Sequence, residues 1–304
     1  MAKTSGLNRT GILSRVTVAA ITAALVGTTT AAVAADAPAG RSASGVQQDV
    51  RAGAFATSAV ATPENALYGV DGSGTIWGYQ PTGGGAIKRL SENSGTGWGN
   101  SKHINQADAT GDGRSDGLYD VYNGRLYYTK WRTDPRDLGG GWNAYNEIVA
   151  VANTGGAPAE DLIARDTAGV LWHYLGTGNG GLTARYRIGG GWNAYTQIAG
   201  KGDLTRDGKP DIVARDKSGG LWLYKGTGNY KAPFGPRTYI GGGWNAFNAL
   251  VSTGDLNFDG VADLVARDKV GALWLYKGTG KASAPFSGRV QIGTNGWNGF
   301  RELF

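Results

Sequence analysis

Gly191-Trp192-Asn193-Ala194-Tyr195 decides the fold, because the chain keeps returning to it. Copies stand at Gly141-Trp142-Asn143-Ala144-Tyr145, Gly243-Trp244-Asn245-Ala246-Phe247 and Gly296-Trp297-Asn298-Gly299-Phe300, and a weaker one at Gly97-Trp98-Gly99-Asn100. Between them runs a second signature, Arg215-Asp216-Lys217-Ser218-Gly219-Gly220-Leu221-Trp222-Leu223-Tyr224. Its copies end in Trp77-Gly78-Tyr79, Trp172-His173-Tyr174 and Trp274-Leu275-Tyr276, and in the remaining unit Tyr127 replaces the Trp. Each signature occurs five times, in alternation, at a period near 50 residues. A fixed period of that length marks a repeat architecture, in which one supersecondary unit stacks on the next.

Each unit reads as short strands. Ile212 to Arg215 is one. Asp216 to Gly219 is a hairpin turn, with Asp opening it and Gly taking the positive-φ position. Leu221 to Tyr224, Arg237 to Ile240 and Ala249 to Thr253 read as further strands. Four strands in about 50 residues make a propeller blade, which cannot bury both faces alone and so stacks around an axis. The fold class expected is all-β, a five-bladed propeller over 65–304. The alternative is a seven-bladed ring completed by a second molecule. The chain ends just after the fifth Gly-Trp signature, at Arg301-Glu302-Leu303-Phe304, where other units begin the next blade. The first unit starts late, near Ala66, so the C-terminal strand should complete the first blade and close the ring against Leu67 to Val70.

Composition agrees. The 304 residues include 53 Gly, 10 Trp and 14 Tyr but no Cys, which excludes disulfides and thiolate zinc sites. So much Gly is incompatible with a helical protein, because each costs about 1 kcal/mol in a helix interior. Lys3, Arg9 and Arg15 precede the apolar run Val16 to Gly27 and the small residues Ala32-Val33-Ala34, the pattern of a secretory signal peptide over 1–34. An Ala-, Ser- and Gly-rich leader follows over 35–64. The expected localisation is secreted and extracellular, with no membrane insertion. Removing the three N-terminal cations lowers the net charge from +6 to +3. The remaining Lys and Arg are scattered, so a nucleic-acid partner is not expected.

Three units carry an acidic loop at the same place. The copies run from Asp108 to Asp116, Asp203 to Asp211 and Asp255 to Asp263. Oxygen side chains fall at positions 1, 3, 5 and 9: Asp108, Thr110, Asp112 and Asp116; Asp203, Thr205, Asp207 and Asp211; Asp255, Asn257, Asp259 and Asp263. Gly stands at position 6, and the position 7 carbonyls belong to Arg114, Lys209 and Val261. A hard cation needs several oxygens from one short loop with a Gly at its sharp turn, so the expected cofactor is calcium, Ca2+. The third unit keeps only Asp161, since Asn153, Gly155 and Ala157 fill the other positions.

These loops and their strand context resemble the FG-GAP or VCBS repeats of integrin-α-type propellers. The Gly-Trp-Asn-Ala-Tyr spacing and the count of five also resemble tachylectin-type sugar-binding propellers. Both likenesses imply ligand binding without catalysis. His103 and His173 are the only histidines, and neither sits in a catalytic motif. Gly-Thr-Gly at 176–178, 226–228 and 278–280 recurs with the units and reads as a turn. Asp71, Asp166, Asp216 and Asp268 open hairpins and should cap backbone N–H groups. A carbohydrate is the expected partner, stacked on Trp142, Trp192, Trp244 and Trp297 beside Asn143, Asn193, Asn245 and Asn298; the alternative for these Trp is packing between neighbouring blades. Trp77, Trp172, Trp222 and Trp274 are expected between blades. The alternative partner is an extracellular protein, as for integrin-type propellers, and the protein is expected to be a monomer.

Overall fold

The structure, a computed structural model, describes residues 64–157 and 159–304, together with the backbone of 42–43. The signal-peptide and leader assignments for 1–34 and 35–64 fall almost wholly outside the described residues.

Five antiparallel sheets are present, and no α-helix occurs among the described residues. Blade 2 runs Lys102–Ala107, Gly117–Tyr122, Arg125–Lys130 and Arg136–Gly140. Blade 3 runs Tyr145–Ala150, Leu162–Asp166, Leu171–Tyr174 and Tyr186–Gly189, and blade 4 runs Tyr195–Ala199, Ile212–Asp216, Leu221–Gly226 and Phe234–Gly241. Blade 5 is Phe247–Gly254, Asp263–Asp268, Leu273–Tyr276 and Val290–Gly293. In each, strands follow one another across the sheet in chain order.

Blade 1 is assembled from both ends of the described chain. Leu67–Asp71 pairs with Ile76–Pro81 on one side and with the C-terminal strand Phe300–Leu303 on the other. Gly69 faces Leu303, Val70 faces Glu302, and Tyr68 and Phe304 exchange backbone hydrogen bonds at 2.8 and 2.9 Å. The ring therefore closes within one chain at five blades, which sets aside the seven-bladed alternative. Gly69 is required at this seam, since a Cβ there would sit 2.7 Å from the Phe300 ring.

The core follows from stacked sheets, with one apolar cluster at each of the five interfaces. Tyr68, Trp98 and Phe304 lie between blades 1 and 2, Leu126, Trp142 and Tyr145 between 2 and 3. Ile163, Trp192 and Ile212 lie between 3 and 4, Leu223, Trp244 and Leu264 between 4 and 5, and Leu275, Trp297 and Leu303 between 5 and 1.

The first strand of every blade lies innermost. Together these strands line an axial channel of about 260 Å3. Here polar side chains tie one blade to the next. Asn105 holds Ile148 and Ala150, Glu147 accepts from the Ile198 N–H, Gln197 both donates to and accepts from Leu250, and Glu302 accepts from the Ile104 N–H. Ala249 stands at the matching place in blade 5, and that seam is tied instead by Asn65, which donates its side-chain amide to the Thr253 carbonyl.

Candidate functional site

The three acidic loops share one conformation, because their first Asp organises the turn. Asp108, Asp203 and Asp255 each accept the N–H of the position 6 glycine, at 2.8, 2.6 and 2.6 Å. Gly113, Gly208 and Gly260 have φ of 85, 81 and 84°. Position 4 is also left-handed in all three, at Gly111, Arg206 and Phe258. For the last two that conformation costs roughly 1–2 kcal/mol each, strain of the kind that gathers at functional sites. Asp211 and Asp263 each accept two further N–H groups, from Leu204 and Gly226 and from Leu256 and Gly278. Asp116 departs from them and takes the N–H and hydroxyl of Thr110.

Burial raises the carboxyls at the loop ends. Asp108 is pushed up to about 6 by burial and then by Glu160, and Asp211 to about 6 by burial with repulsion from Asp203 and Asp207. Asp263 goes to about 7 by burial with repulsion from Asp255 and Asp259. A divalent cation would relieve that repulsion, so the chemistry of the donor set fits calcium. The side chains as placed are not a finished cage. Among the described residues no three acidic or histidine side chains converge on one point, and Asp207 pairs with Lys225 at 2.8 Å.

In blade 3, Asp161 is served without a metal. Its carboxylate accepts from the Thr154 N–H and hydroxyl and from Gly155 and Gly176, with His173 Nε2 at 3.2 Å. Next to it Glu160 meets Lys201 and accepts the Asp108 N–H. This buried cluster spans blades 2, 3 and 4, and nothing local in the sequence announces it.

Both Trp sets meet the blade interfaces, and Trp172, Trp222 and Trp274 pack as expected on the inter-blade clusters. Trp142, Trp192, Trp244 and Trp297 are only 7, 6, 7 and 9 % exposed. Each follows a left-handed Gly and opens a single 3-10 turn in which the indole is buried at the blade interface. Trp142 packs on Tyr145 and Tyr174 with centroids 5.3 and 4.9 Å apart. The adjoining Asn193, Asn245 and Asn298 donate to the hairpin carbonyls of Thr167, Lys217 and Lys269, and Asn143 lies against Gly124 of the matching hairpin. Stacking on a sugar needs an open ring face, and these faces are spent on packing.

Trp77, Trp172, Trp222 and Trp274 are half-buried. Each indole N–H donates to the hairpin Asp, at 2.7 to 2.9 Å. Each ring is covered by a guanidinium, from Arg89, Arg185, Arg237 and Arg289, at 4.0 to 4.1 Å. Asp71, Asp166, Asp216 and Asp268 do accept backbone N–H groups across their turns. Their second oxygen serves the Trp, a partner six residues on that turn chemistry alone does not supply.

An open cleft of about 550 Å3 lies between blades 2 and 3. Blade 2 contributes Arg136 and Leu138, blade 3 contributes Tyr174, Thr177 and Asn179, and an edge of Trp142 reaches the floor. Gly-Thr-Gly at 176–178 thus forms a lip of this cleft. Between blades 3 and 4 Tyr186 packs on Tyr230, and between blades 4 and 5 Phe286 packs on Trp244, with ring centroids 4.7 and 6.4 Å apart.

Residues 203–266 match the FG-GAP-like repeat family. The matched stretch holds the loops 203–211 and 255–263, the last three strands of blade 4 and the first strand of blade 5. A comparison with curated proteins finds no match. Among solved structures, one described as "The de novo evolutionary emergence of a symmetrical protein is shaped by folding constraints" is 16% identical, with a TM-score of 0.54 over 79% of this chain and 97% of that one. The BP39L lectin of Burkholderia pseudomallei is 14% identical, with a TM-score of 0.48 over 75% and 69% of the two chains. The periplasmic gluconolactonase PpgL of Pseudomonas aeruginosa is 12% identical, with a TM-score of 0.34 over 79% and 68%. At these identities the likeness is one of fold, and the first structure carries it.

Proposed function

We propose that this is a secreted binding propeller that takes a carbohydrate between blades 2 and 3 and holds calcium in its acidic loops. The observation that carries the reading is the cleft itself, where aromatic and aliphatic walls meet hydroxyl, amide and guanidinium groups within about 550 Å3. A pyranose asks for that combination: an apolar face to lie on and hydrogen bonds at its rim. The role is recognition rather than catalysis. No described helix is long and apolar enough to cross a membrane.

Thr177 is exposed at the lip. Thr177→Trp should fill the cleft and abolish binding to an immobilised glycan panel while the melting temperature stays unchanged. Binding that survives this substitution, or a wild-type protein that binds no glycan, would overturn the reading in favour of a protein partner.

Calcium is tested separately. A cation that binds only the native state stabilises it by about 2.7 kcal/mol per site at a hundredfold excess over its dissociation constant. Calorimetry should therefore show a higher melting temperature in millimolar calcium than in chelator. Asp207→Ala and Asp259→Ala should each remove one bound ion. Identical melting in the two conditions sinks the calcium assignment and leaves the cleft untouched.

A further inference from the structure

We infer that the cleft between blades 2 and 3 selects an anionic saccharide, a sugar carrying a carboxylate, and that Arg136 makes the selection. The inference rests on the carbohydrate reading of that cleft and adds the charge of its ligand.

The argument begins with register. In blades 3, 4 and 5 an arginine stands three residues before the strand-end isoleucine, as Arg185 before Ile188, Arg237 before Ile240 and Arg289 before Ile292. Those arginines stack on the Trp of their own blade. In blade 2 the spacing is two, Arg136 before Leu138, and Pro135 occupies the usual place. Side chains alternate faces along a strand, so a shift of one residue turns the guanidinium to the other side of the sheet. There it lines the cleft toward blade 3. Strand pairing gives the same alignment: Arg136 lies opposite Tyr128, as Tyr186 lies opposite His173. The counterparts of Arg136 are thus Tyr186, Thr238 and Val290, none of them charged.

The guanidinium is exposed and available. One N–H donates to the Asn179 carbonyl at 2.9 Å, and the group lies over Tyr128 at 5.5 Å. No carboxylate among the described residues pairs with it. The neighbouring Asp137 is engaged by Arg125 at 2.6 Å. Behind the opposite wall, Arg185 donates to the Tyr145 hydroxyl, which shares a 2.5 Å hydrogen bond with the Tyr174 hydroxyl of the cleft. Guanidinium has five N–H donors in a planar fork that matches a carboxylate, so a cleft built this way discriminates by charge and geometry together.

The test is calorimetric titration with digalacturonate and with neutral digalactose at low and high salt. The wild type should bind the acid at least tenfold more tightly, with the difference shrinking at high salt. Arg136→Gln should remove the preference, weakening the acid at least tenfold and the neutral sugar by much less, and Arg136→Lys should keep part of it. Lys281→Gln, on blade 5 and exposed, serves as a control that should change nothing. Equal affinity of the wild type for both sugars overturns the inference while the carbohydrate reading stands. Failure to bind either sugar, or any member of the glycan panel, overturns both.

Discussion

Glu302 shows how a residue's chemistry here is set by partners far away in the chain. Its carboxylate accepts the Ile104 N–H at 2.9 Å across 198 positions, and about a quarter of the side chain opens on the axial channel (26 %). Burial raises the carboxyl from its ordinary 4.5 to about 7, partly offset by Arg301. An acid raised in the folded state binds its proton more tightly there than in the unfolded chain. Its stabilising contribution is therefore full below pH 4.5 and is lost as pH rises to about 7. Glu302→Gln keeps the acceptor and removes the ionisation. The variant should match the parent near pH 4 and exceed it at pH 8, by roughly 1–3 kcal/mol. Denaturant unfolding at the two pH values checks this, and equal stability at pH 8 contradicts it. The hairpin acids run the other way. Asp216 is lowered to about 2 by Ser218 and Trp222, so its contribution is lost only in strong acid. Sequence made Asp216 legible as a turn residue, whereas nothing local to Glu302 reveals that it is half-buried against the next blade.

At the scale of the element, the 3-10 turn after each Gly run is the joint between blades. Arg165, Arg215 and Arg267 are buried, and each reaches forward to the carbonyls of the next turn. Arg215 donates to Trp244 and Phe247 at 3.1 and 2.6 Å. Arg165 does the same to Trp192 and Tyr195, and Arg267 to Trp297 and Phe300. Arg215→Met leaves two buried carbonyls without a charged donor. It should cost about 2–4 kcal/mol, at 1–3 for each unmet group less what the apolar chain recovers. Thermal melting measures it, and a loss below about 1 kcal/mol means the joint is held by packing alone. The repeated strands and hairpins were readable because period and turn chemistry are local. The burial of Trp142, Trp192, Trp244 and Trp297 was not. In Leu171 to Tyr174 the large residues alternate, yet Leu171 and His173 are buried while Trp172 and Tyr174 are half-exposed. The face that a neighbouring blade covers is decided by the stacking, not by the strand.

For the whole molecule, stability depends on closing the ring. Deleting Arg301 to Phe304 removes the innermost strand of blade 1. It also removes the Arg301 contact to the Trp98 carbonyl and the packing of Phe304 on Tyr68. Leu303 and Phe304 are buried and contribute about 1.5–3 kcal/mol each. The truncated chain should melt well below the parent and self-associate through the bared edge of Leu67–Asp71. Light scattering beside a thermal melt checks both, and a monomer as stable as the parent refutes the closure argument. The sequence by itself determined the number of blades, the hairpins, the acidic loops and the closing strand, because each is a local pattern repeated at a fixed interval. Tertiary structure decided which Trp lies inside, which cleft stays open and which arginine faces it. Those depend on the two faces that adjacent sheets turn toward each other, and a one-residue offset such as Arg136 for Pro135 acquires its meaning only when the next blade is in place.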